Sequence, residues 1–373
     1  MAQHPADGRV ALSAARRRAL TLATGHGAPT VDGLGPTIVE PLMAPSIVEL
    51  SGITKRFTQR VDLAGRVANL FGAGLHEIVV QAVSDIDLAI GEGEVVGLVG
   101  ESGCGKSTLG RMVAGILSAS DGTIRYRGAA LDAMTADQKR AWALGVQMIF
   151  QDPFASLNPR LRVGEIIGEA PVVHGLVDRG AVTDYVAELM RRVGLDPAYV
   201  RRYPHQFSGG QRQRIGIARA LAVKPTFLVC DEATAALDVS IQAQVLNLFM
   251  ELRQSLGLTY LFVSHNLAVV EHLSDRVAIM YLGRIVEIAP TEELFDAPNH
   301  PYTQALLSEV PKLAAGRREY RPIQGELPSP IDPPPGCAFH PRCPHAGARC
   351  RTERPALREI APGRFSACHL NDA

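Results

Sequence analysis

The chain has 373 residues, of which 46% are hydrophobic, and it carries 38 basic and 38 acidic side chains. This balance gives no overall attraction to nucleic acid or to an anionic membrane surface, and no apolar run of about 18 residues offers a transmembrane helix. We therefore expect a cytoplasmic protein that binds no nucleic acid and consists of one large globular domain with a smaller second part.

The first 45 residues are rich in Ala, Gly and Pro and show no sustained hydrophobic period. Because so few large apolar side chains cannot offset the entropy lost on ordering, we expect this N-terminal extension to be disordered. Strand-like sequence begins at Ser46, shortly after Met43. Met43 is therefore a candidate for the natural start of translation.

Alternating apolar residues after Ser46 predict antiparallel strands at 47–50, 54–57 and 84–90, with a polar insert at about 58–77. Phe57 lies at the end of the second strand. Its ring could stack on an adenine base, since a flat aromatic face suits a flat base, but a core position on a strand is an equally good interpretation.

Residues 100–108 match the phosphate-loop pattern G-x-x-x-x-G-K-[ST] at every fixed position. The glycines let consecutive backbone N–H groups face the β- and γ-phosphates, Lys106 adds a positive charge, and the Ser107 hydroxyl can ligate Mg²⁺. A predicted strand at 94–99 and a predicted helix at 109–117 supply the required context and argue against an ordinary glycine turn. The predicted nucleotide ligands are Gly100, Glu101, Ser102, Gly103, Cys104, Gly105, Lys106, Ser107 and Thr108.

Further strands are predicted at 122–128, 146–150 and 226–231. The last of them delivers Asp231 and Glu232 at its carboxyl end, where ligands bind in a parallel α/β sheet. We expect Asp231 to hold Mg²⁺, directly or through water, and Glu232 to orient or deprotonate the attacking water. Solvated acids at a strand end are the alternative.

A second anion site is predicted at Ser208, which occupies the N-cap position of a helix whose first residues are glycines. One active site does not need two such sites so far apart in sequence, so this one is expected to serve a nucleotide held by another copy of the fold. A plain capped helix is the alternative. A strand at 260–264 ends at His265, from which an imidazole can bond a γ-phosphate or support Glu232.

Together these motifs resemble the nucleotide-binding subunits of ATP-binding-cassette (ABC) transporters over about residues 46–290. They follow the family order: phosphate loop, Gln151 as the Q-loop, Ser208, Gly209, Gly210 and Gln211 as the signature, Asp231 and Glu232, the D-loop ending at Asp238, and His265 as the switch histidine. One departure is Phe207, which opens the signature where Leu is usual.

This resemblance implies an α/β fold: an ABC-type P-loop ATPase with a RecA-like core, an antiparallel β subdomain, an α-helical subdomain at about 152–207, and a small Cys-rich C-terminal extension at 291–373. It also implies a head-to-tail dimer in which each signature contacts the ATP held by the other phosphate loop. In such a dimer Gln151 senses the γ-phosphate and the Mg²⁺ ion. The implied ligands of this Mg²⁺ ion are Gln151, Ser107 and Asp231.

Segments 151–160, 236–245 and 300–307 resemble the ATPase subunits of oligopeptide and dipeptide importers, a group that includes nickel and glutathione relatives. Residues 325–337 are similar to the C-terminal extension of that group, and 231–241 look closer to the second of its two ATPase subunits. The implied partners are a second ABC ATPase subunit or another copy of this chain, two permeases and an extracytoplasmic solute-binding protein. Peptide is the expected cargo, with nickel or glutathione as alternatives, and the expected location is peripheral, on the cytoplasmic face of the membrane.

Four of the six cysteines, Cys337, Cys343, Cys350 and Cys368, fall in a Pro-rich tail with too little apolar content for a core of its own. A reducing cytoplasm disfavours disulfides, which leaves metal ligation. Intervening stretches of 5, 6 and 17 residues fit neither paired zinc knuckles nor the ferredoxin run. The resemblance implies a [4Fe–4S] cluster; zinc, with His340, His345 or His369 as substitute ligands, and free thiols remain alternatives.

The other two cysteines have different expected roles. Cys104 lies near Lys106 and a helix N-terminus, which could lower the pKa of its thiol, so alkylation there should block ATP binding. A catalytic role is not expected, and the favoured interpretation is simply a small residue in the loop. Cys230 is expected to be buried in the core.

Two other classes of protein share parts of this pattern. A non-transport soluble ABC ATPase would need a long coiled-coil insertion or a second phosphate loop, and a GTPase-like switch or kinase has neither the signature nor the switch histidine. The sequence therefore favours a transport ATPase.

Overall fold

The structure, a computed structural model, describes residues 45–59, 76–309 and 325–372. The expected disorder of residues 1–45, the alternative start at Met43 and most of the polar insert lie outside these ranges. Those expectations stay predictions.

A four-stranded antiparallel sheet, in the order β2-β1-β4-β5, forms one layer. Its strands are β1 (Ser46–Gln59), β2 (Ile78–Gly91), β4 (Asp121–Tyr126) and β5 (Ala129–Ala130). The two strands predicted at 47–50 and 54–57 are wrong as separate elements, because they form the single strand β1. Gly52, with φ 60°, accommodates the irregular register there, so the chain continues instead of turning.

A second sheet of eight strands has the order β11-β12-β10-β9-β3-β8-β7-β6. Its strands are β3 (Val95–Val99), β6 (Val146–Ile149), β7 (Phe227–Asp231), β8 (Thr259–Ser264), β9 (Arg276–Tyr281), β10 (Arg284–Pro290), β11 (Arg358–Ala361) and β12 (Arg364–Ser366). The strands from β9 to β6 are parallel, whereas β10, β12 and β11 continue the sheet antiparallel. Strands β3, β7 and β8 are buried along their whole length, as expected for the centre of a parallel sheet covered on both faces.

The helices are α1 (Lys106–Val113), α2 (Ala136–Gly145), α3 (Val163–Val173), α4 (Val182–Arg192), α5 (Gly209–Leu221), α6 (Val239–Leu256), α7 (Leu267–Leu273), α8 (Thr291–Asp296), α9 (Pro301–Ser308) and α10 (Ala348–Thr352). Helix α1 begins and ends earlier than the predicted 109–117. It stops because Gly115 has φ 72°, and a Cβ at this position would lie 2.0 Å from the Trp142 ring. Within the described ranges, no helix combines the length and apolar character needed to cross a bilayer.

Buried apolar side chains form three clusters. The first lies between the central sheet and helices α3 to α6, and the second lies between the two sheets. The third joins β9 and β10 to the C-terminal extension through Tyr281, Tyr302 and Phe339. The Cys-rich tail therefore packs on the main body instead of forming a core of its own.

Candidate nucleotide site

The phosphate loop leaves the carboxyl end of β3 and enters α1 at Lys106. Gly103 and Gly105 have left-handed backbones, with φ 83° and 105°. A Cβ on Gly105 would lie 2.1 Å from the Ala82 carbonyl oxygen, and one on Gly100 would lie 2.1 Å from the Met280 carbonyl oxygen. The loop therefore requires glycine for both conformation and space.

Lys106 lies inside this loop, with its side chain almost fully buried. Its Nζ donates hydrogen bonds to the carbonyl oxygens of Gly100, at 2.7 Å, and Glu101, at 2.9 Å. Ser102 and Gly103 are exposed at the tip, and Thr108 is half-buried in α1. Two carbonyl oxygens of the loop thus hold the ammonium at the loop, where its positive charge suits an anion site.

Ser107 and Asp231 bring two oxygen ligands together beside the loop. The Ser107 hydroxyl donates to Oδ1 of Asp231 at 2.7 Å. Burial raises the pKa of the Asp231 carboxyl, and the hydrogen bond from Ser107 opposes this shift. A hydroxyl and a carboxylate are the hard oxygen ligands that Mg²⁺ prefers, so this pair fits a magnesium site.

Glu232 meets Gln151 and His265, although the three residues are far apart in sequence. Its Oε2 accepts a hydrogen bond from Gln151 Nε2 at 2.8 Å, and its Oε1 lies 3.2 Å from His265 Nδ1. Glu232 also has φ 46°, a left-handed backbone that non-glycine residues rarely adopt and that is often found at functional sites. The described contact of Gln151 is with Glu232, so its role as a Mg²⁺ ligand stays a prediction.

The signature segment caps helix α5. Ser208 Oγ accepts from the Gln211 backbone N–H at 3.3 Å, and Gln211 Oε1 accepts from the Ser208 N–H at 3.1 Å, which is a capping box. A Cβ on Gly210 would lie 2.4 Å from Ile241 Cγ2, and the nearest atom to one on Gly209 belongs to Leu237. Among the described residues, no hydrogen bond or ion pair joins 208–211 to the phosphate loop.

Asp238 and Phe57 are the two remaining predicted nucleotide ligands. Asp238 caps α6, because its Oδ1 accepts from the Ile241 N–H at 2.9 Å. The Phe57 side chain is 42% exposed, and Lys55 Nζ lies 5.2 Å from its ring centroid. A core role for Phe57 is therefore wrong, and its ring is accessible to a base.

The expected reactivity of Cys104 is wrong. Its side chain is only 1% exposed, and burial raises the pKa of the thiol despite the opposing effect of Lys106. Removing water therefore raises the free energy of the thiolate by more than the neighbouring ammonium lowers it. Cys230 is fully buried on β7, as predicted, and burial also raises the pKa of its thiol.

Two contacts on the phosphate loop come from the C-terminal part of the chain and were not predicted. The Glu101 N–H donates to the Tyr302 hydroxyl at 3.0 Å, and Arg342 Nη1 donates to both oxygens of the Glu101 carboxylate, at 2.9 and 3.1 Å. The only signals in the sequence were that Tyr302 lies in the importer-like segment 300–307 and that Arg342 directly precedes Cys343.

The four tail cysteines line one small cavity together with four histidines. The lining includes Cys337, Cys343, Cys350, Cys368, His300, His340, His345 and His369. Burial raises the pKa of Cys337 to about 11 and also raises the pKa values of Cys343 and Cys368. Over the described ranges, however, no three His, Cys, Asp or Glu side chains form a site for a metal ion.

The contacts of His369 argue against its predicted role as a substitute zinc ligand. Its Nδ1 lies 3.1 Å from Asp372 Oδ2, and its Nε2 lies 2.9 Å from the Glu353 carbonyl oxygen. Both ring nitrogens are therefore engaged in other contacts. His340 also uses its Nδ1, 3.0 Å from the Cys337 carbonyl oxygen.

Comparison with known proteins agrees with this geometry. Residues 83–235 match the family described as "ABC transporter", and residues 286–350 match the one described as "Oligopeptide/dipeptide transporter, C-terminal region". A putative oligopeptide transport ATP-binding protein of Bacillus subtilis, YkfD, is 52% identical over 295 residues, which are 78% of this chain and 90% of the relative. The oligopeptide transport ATP-binding protein AppF of the same species is 47% identical over 329 residues, or 87% of this chain and 97% of the relative.

Solved structures share the fold. The cbiO1 protein of Clostridium perfringens, part of an ABC transporter complex, superposes with a TM-score of 0.55 at 24% identity over 68% of this chain and 92% of its own. A dimeric bacterial ABC transporter cassette gives the same TM-score and identity over 65% of this chain and 98% of its own.

Proposed function

Because this chain belongs to the ATP-binding proteins of the ABC transporter family, we propose that it is the ATP-hydrolysing subunit of a peptide importer. One observation carries the proposal: a complete set of ATPase side chains and the oligopeptide/dipeptide transporter C-terminal region occur in the same chain. The relatives named as oligopeptide transport proteins support the peptide cargo.

The hydrolytic step follows from the contacts of Glu232. We expect the phosphate-loop N–H groups and Lys106 to bind the ATP phosphates beside the end of β7, to which Ser107 is joined by its hydrogen bond with Asp231. Glu232 then orients or deprotonates the attacking water, while Gln151 and His265 hold its carboxylate in place. Ser107 and Asp231 would hold Mg²⁺, which neutralises charge on the phosphate oxygens.

The signature is proposed to act on the ATP of a second subunit, either a partner ATPase or another copy of this chain. Ser208 and Asp238 are exposed, His265 is 55% exposed, and Val239 at the start of α6 is 84% exposed. These side chains are therefore accessible to a second subunit. This arrangement supports the head-to-tail dimer.

Helices α3 and α4 offer a docking groove for a permease. Its lining combines apolar side chains such as Val172 and Val200 with charged ones such as Glu165 and Arg179. The residues that line the groove follow the importer-like segment 151–160 in sequence, and Phe154 of that segment is also strongly exposed. We propose that one of the two permeases binds there and holds the subunit at the cytoplasmic face of the membrane. The other permease would bind the second ATPase subunit, and an extracytoplasmic binding protein would deliver cargo.

The importer role predicts that cargo stimulates ATP hydrolysis. In the co-purified complex in a membrane mimetic, binding protein loaded with a peptide mixture should raise phosphate release above the rate with unloaded binding protein. The unloaded protein controls for docking alone. Stimulation by nickel or by glutathione, with none by peptides tested broadly, would contradict peptide import and reassign the cargo.

The four tail cysteines are proposed to hold a [4Fe–4S] cluster. In such a cluster each cysteine ligates a different iron, so the four sulfurs surround a cavity without converging on one ion. The four cysteines line one cavity, which supports the proposal, although no three ligating side chains among the described residues form a site for a metal ion.

Chain purified anaerobically should therefore be brown, with thiolate-to-iron charge-transfer absorption and about four irons per chain. Cys350→Ser should lower the iron content, whereas the matched variant Cys104→Ala, which changes a cysteine outside the tail, should retain it. A colourless preparation with stoichiometric zinc would refute the cluster.

A further inference from the structure

We propose that Arg342 and Tyr302 are positioning residues for ATP: from the C-terminal extension, they hold Glu101 and thereby keep the phosphate loop in its binding shape. This inference rests on the assignment of residues 100–108 as the ATP-binding loop. We call the three residues Glu101, Tyr302 and Arg342 the loop clamp.

Every polar group of Glu101 has a partner within the protein. Its N–H donates to the Tyr302 hydroxyl, its carbonyl oxygen accepts from Lys106 Nζ, and its carboxylate accepts from Arg342. A loop N–H that is already bonded to a tyrosine is not one that binds phosphate. Glu101 therefore fixes the first half of the loop, and the N–H groups after it are left to bind the nucleotide.

The clamp is built from buried parts. The Arg342 side chain is 6% exposed, and Tyr302 is fully buried. The Tyr302 ring packs against Tyr281, with centroids 4.7 Å apart, and against Phe339 at 5.3 Å. Because these side chains are already constrained, their charge-assisted contact costs little conformational entropy. Removing one partner would leave the other charge buried without its partner, which is strongly destabilising.

One member of the loop clamp, Arg342, lies on the loop that carries two tail cysteines. Phe339 and Arg342 both fall between Cys337 and Cys343, and the Arg342 N–H donates to the Phe339 carbonyl oxygen at 3.0 Å. Whatever orders this loop therefore also orders the guanidinium that holds Glu101. By linkage, ATP binding and the order of the 337–343 loop must stabilise each other.

The test is nucleotide binding by the full-length chain, measured by titration with trinitrophenyl-ATP. Arg342→Met, which keeps the length of the side chain and removes its charge, should raise Kd about tenfold and raise KM for ATP with it, with kcat at saturating ATP unchanged. The control is Arg358→Met, which removes an arginine that pairs with Asp372 in the same extension and should leave Kd unchanged. Arg342→Lys should recover part of the affinity, since it restores the charge with poorer geometry.

Two further measurements separate positioning from mere folding. Combining Arg342→Met with Glu101→Gln should weaken binding no more than the more damaging single change, because both remove the same contact. ATP should also slow amide exchange at Arg342 and Cys343 in the wild type, and Arg342→Met, unlike Arg358→Met, should abolish this protection.

If Arg342→Met fails to fold, Tyr302→Phe replaces it as the test. This variant loses only the hydroxyl that accepts from Glu101 and should weaken binding about threefold. A lower unfolding temperature with unchanged Kd, or additive effects in the double variant, would overturn the clamp. Because binding is read directly, a failure of peptide transport leaves this test intact, whereas a wild-type chain that bound no ATP would overturn both.

Discussion

Replacing Glu232 with glutamine should lower steady-state ATP turnover by about 10²- to 10⁴-fold while leaving ATP binding largely intact. The amide keeps the shape of the side chain and can still accept from Gln151, but it cannot take a proton from water. The phosphate contacts, which come from the phosphate loop, are untouched. Phosphate release by the transport complex and equilibrium binding of trinitrophenyl-ATP measure the two effects separately.

Glu271→Gln provides the matched control for Glu232→Gln, since Glu271 is an exposed carboxylate on the nearby helix α7. It should turn over ATP at the wild-type rate. Near-normal turnover in Glu232→Gln would reject its role as the base. A parallel loss of binding and turnover would instead indicate that Glu232 shapes the site.

Replacing Lys106 with alanine should weaken ATP binding itself, whereas Glu232→Gln should lower turnover and leave binding largely intact. The change removes a buried ammonium that contacts two loop carbonyls and that we expect to contact phosphate. Truncating one partner of a buried charged contact costs about 2–5 kcal/mol, which corresponds to an affinity loss of roughly 30- to several thousand-fold. Direct titration with trinitrophenyl-ATP measures this loss.

Two other variants make the Lys106 result interpretable. Lys139→Ala, on the exposed face of α2, should bind ATP normally and controls for loss of a lysine elsewhere. The unfolding temperature of Lys106→Ala shows whether the loop has collapsed. Wild-type affinity in a folded Lys106→Ala chain would contradict the assignment of the phosphate loop.

The sequence was most informative where the relevant contacts are local. The phosphate loop needs glycine at Gly105 because the backbone there is left-handed, and this glycine is a fixed position of the motif. The capping box of Ser208 and Gln211 joins residues three positions apart. The apolar run before Asp231 predicts a buried strand with carboxylates at its end. Short-range geometry of this kind can be read without knowledge of the fold.

Strand boundaries were predicted less well, because they depend on neighbours. The stretch around Gly52 looks like a turn in the sequence, yet pairing with β2 and β4 on either side keeps β1 continuous through it. The pKa of Cys104 was predicted in the wrong direction for a related reason. Its sequence neighbours favour the thiolate, but burial depends on distant residues and has the larger effect.

The ATP motifs, the approximate positions of the main strands along the chain and the resemblance to importer ATPases could all be read from the amino-acid sequence. Which side chains meet depends instead on how the folded chain packs. Glu232 and Gln151 are 81 positions apart, Glu101 and Tyr302 are 201 apart, and Glu101 and Arg342 are 241 apart. These encounters depend on the parallel pairing of β6 with β7 and on the packing of Phe339 against Tyr281 and Tyr302. Such packing depends on many weak contacts between distant parts of the chain, so no local sequence pattern predicts it.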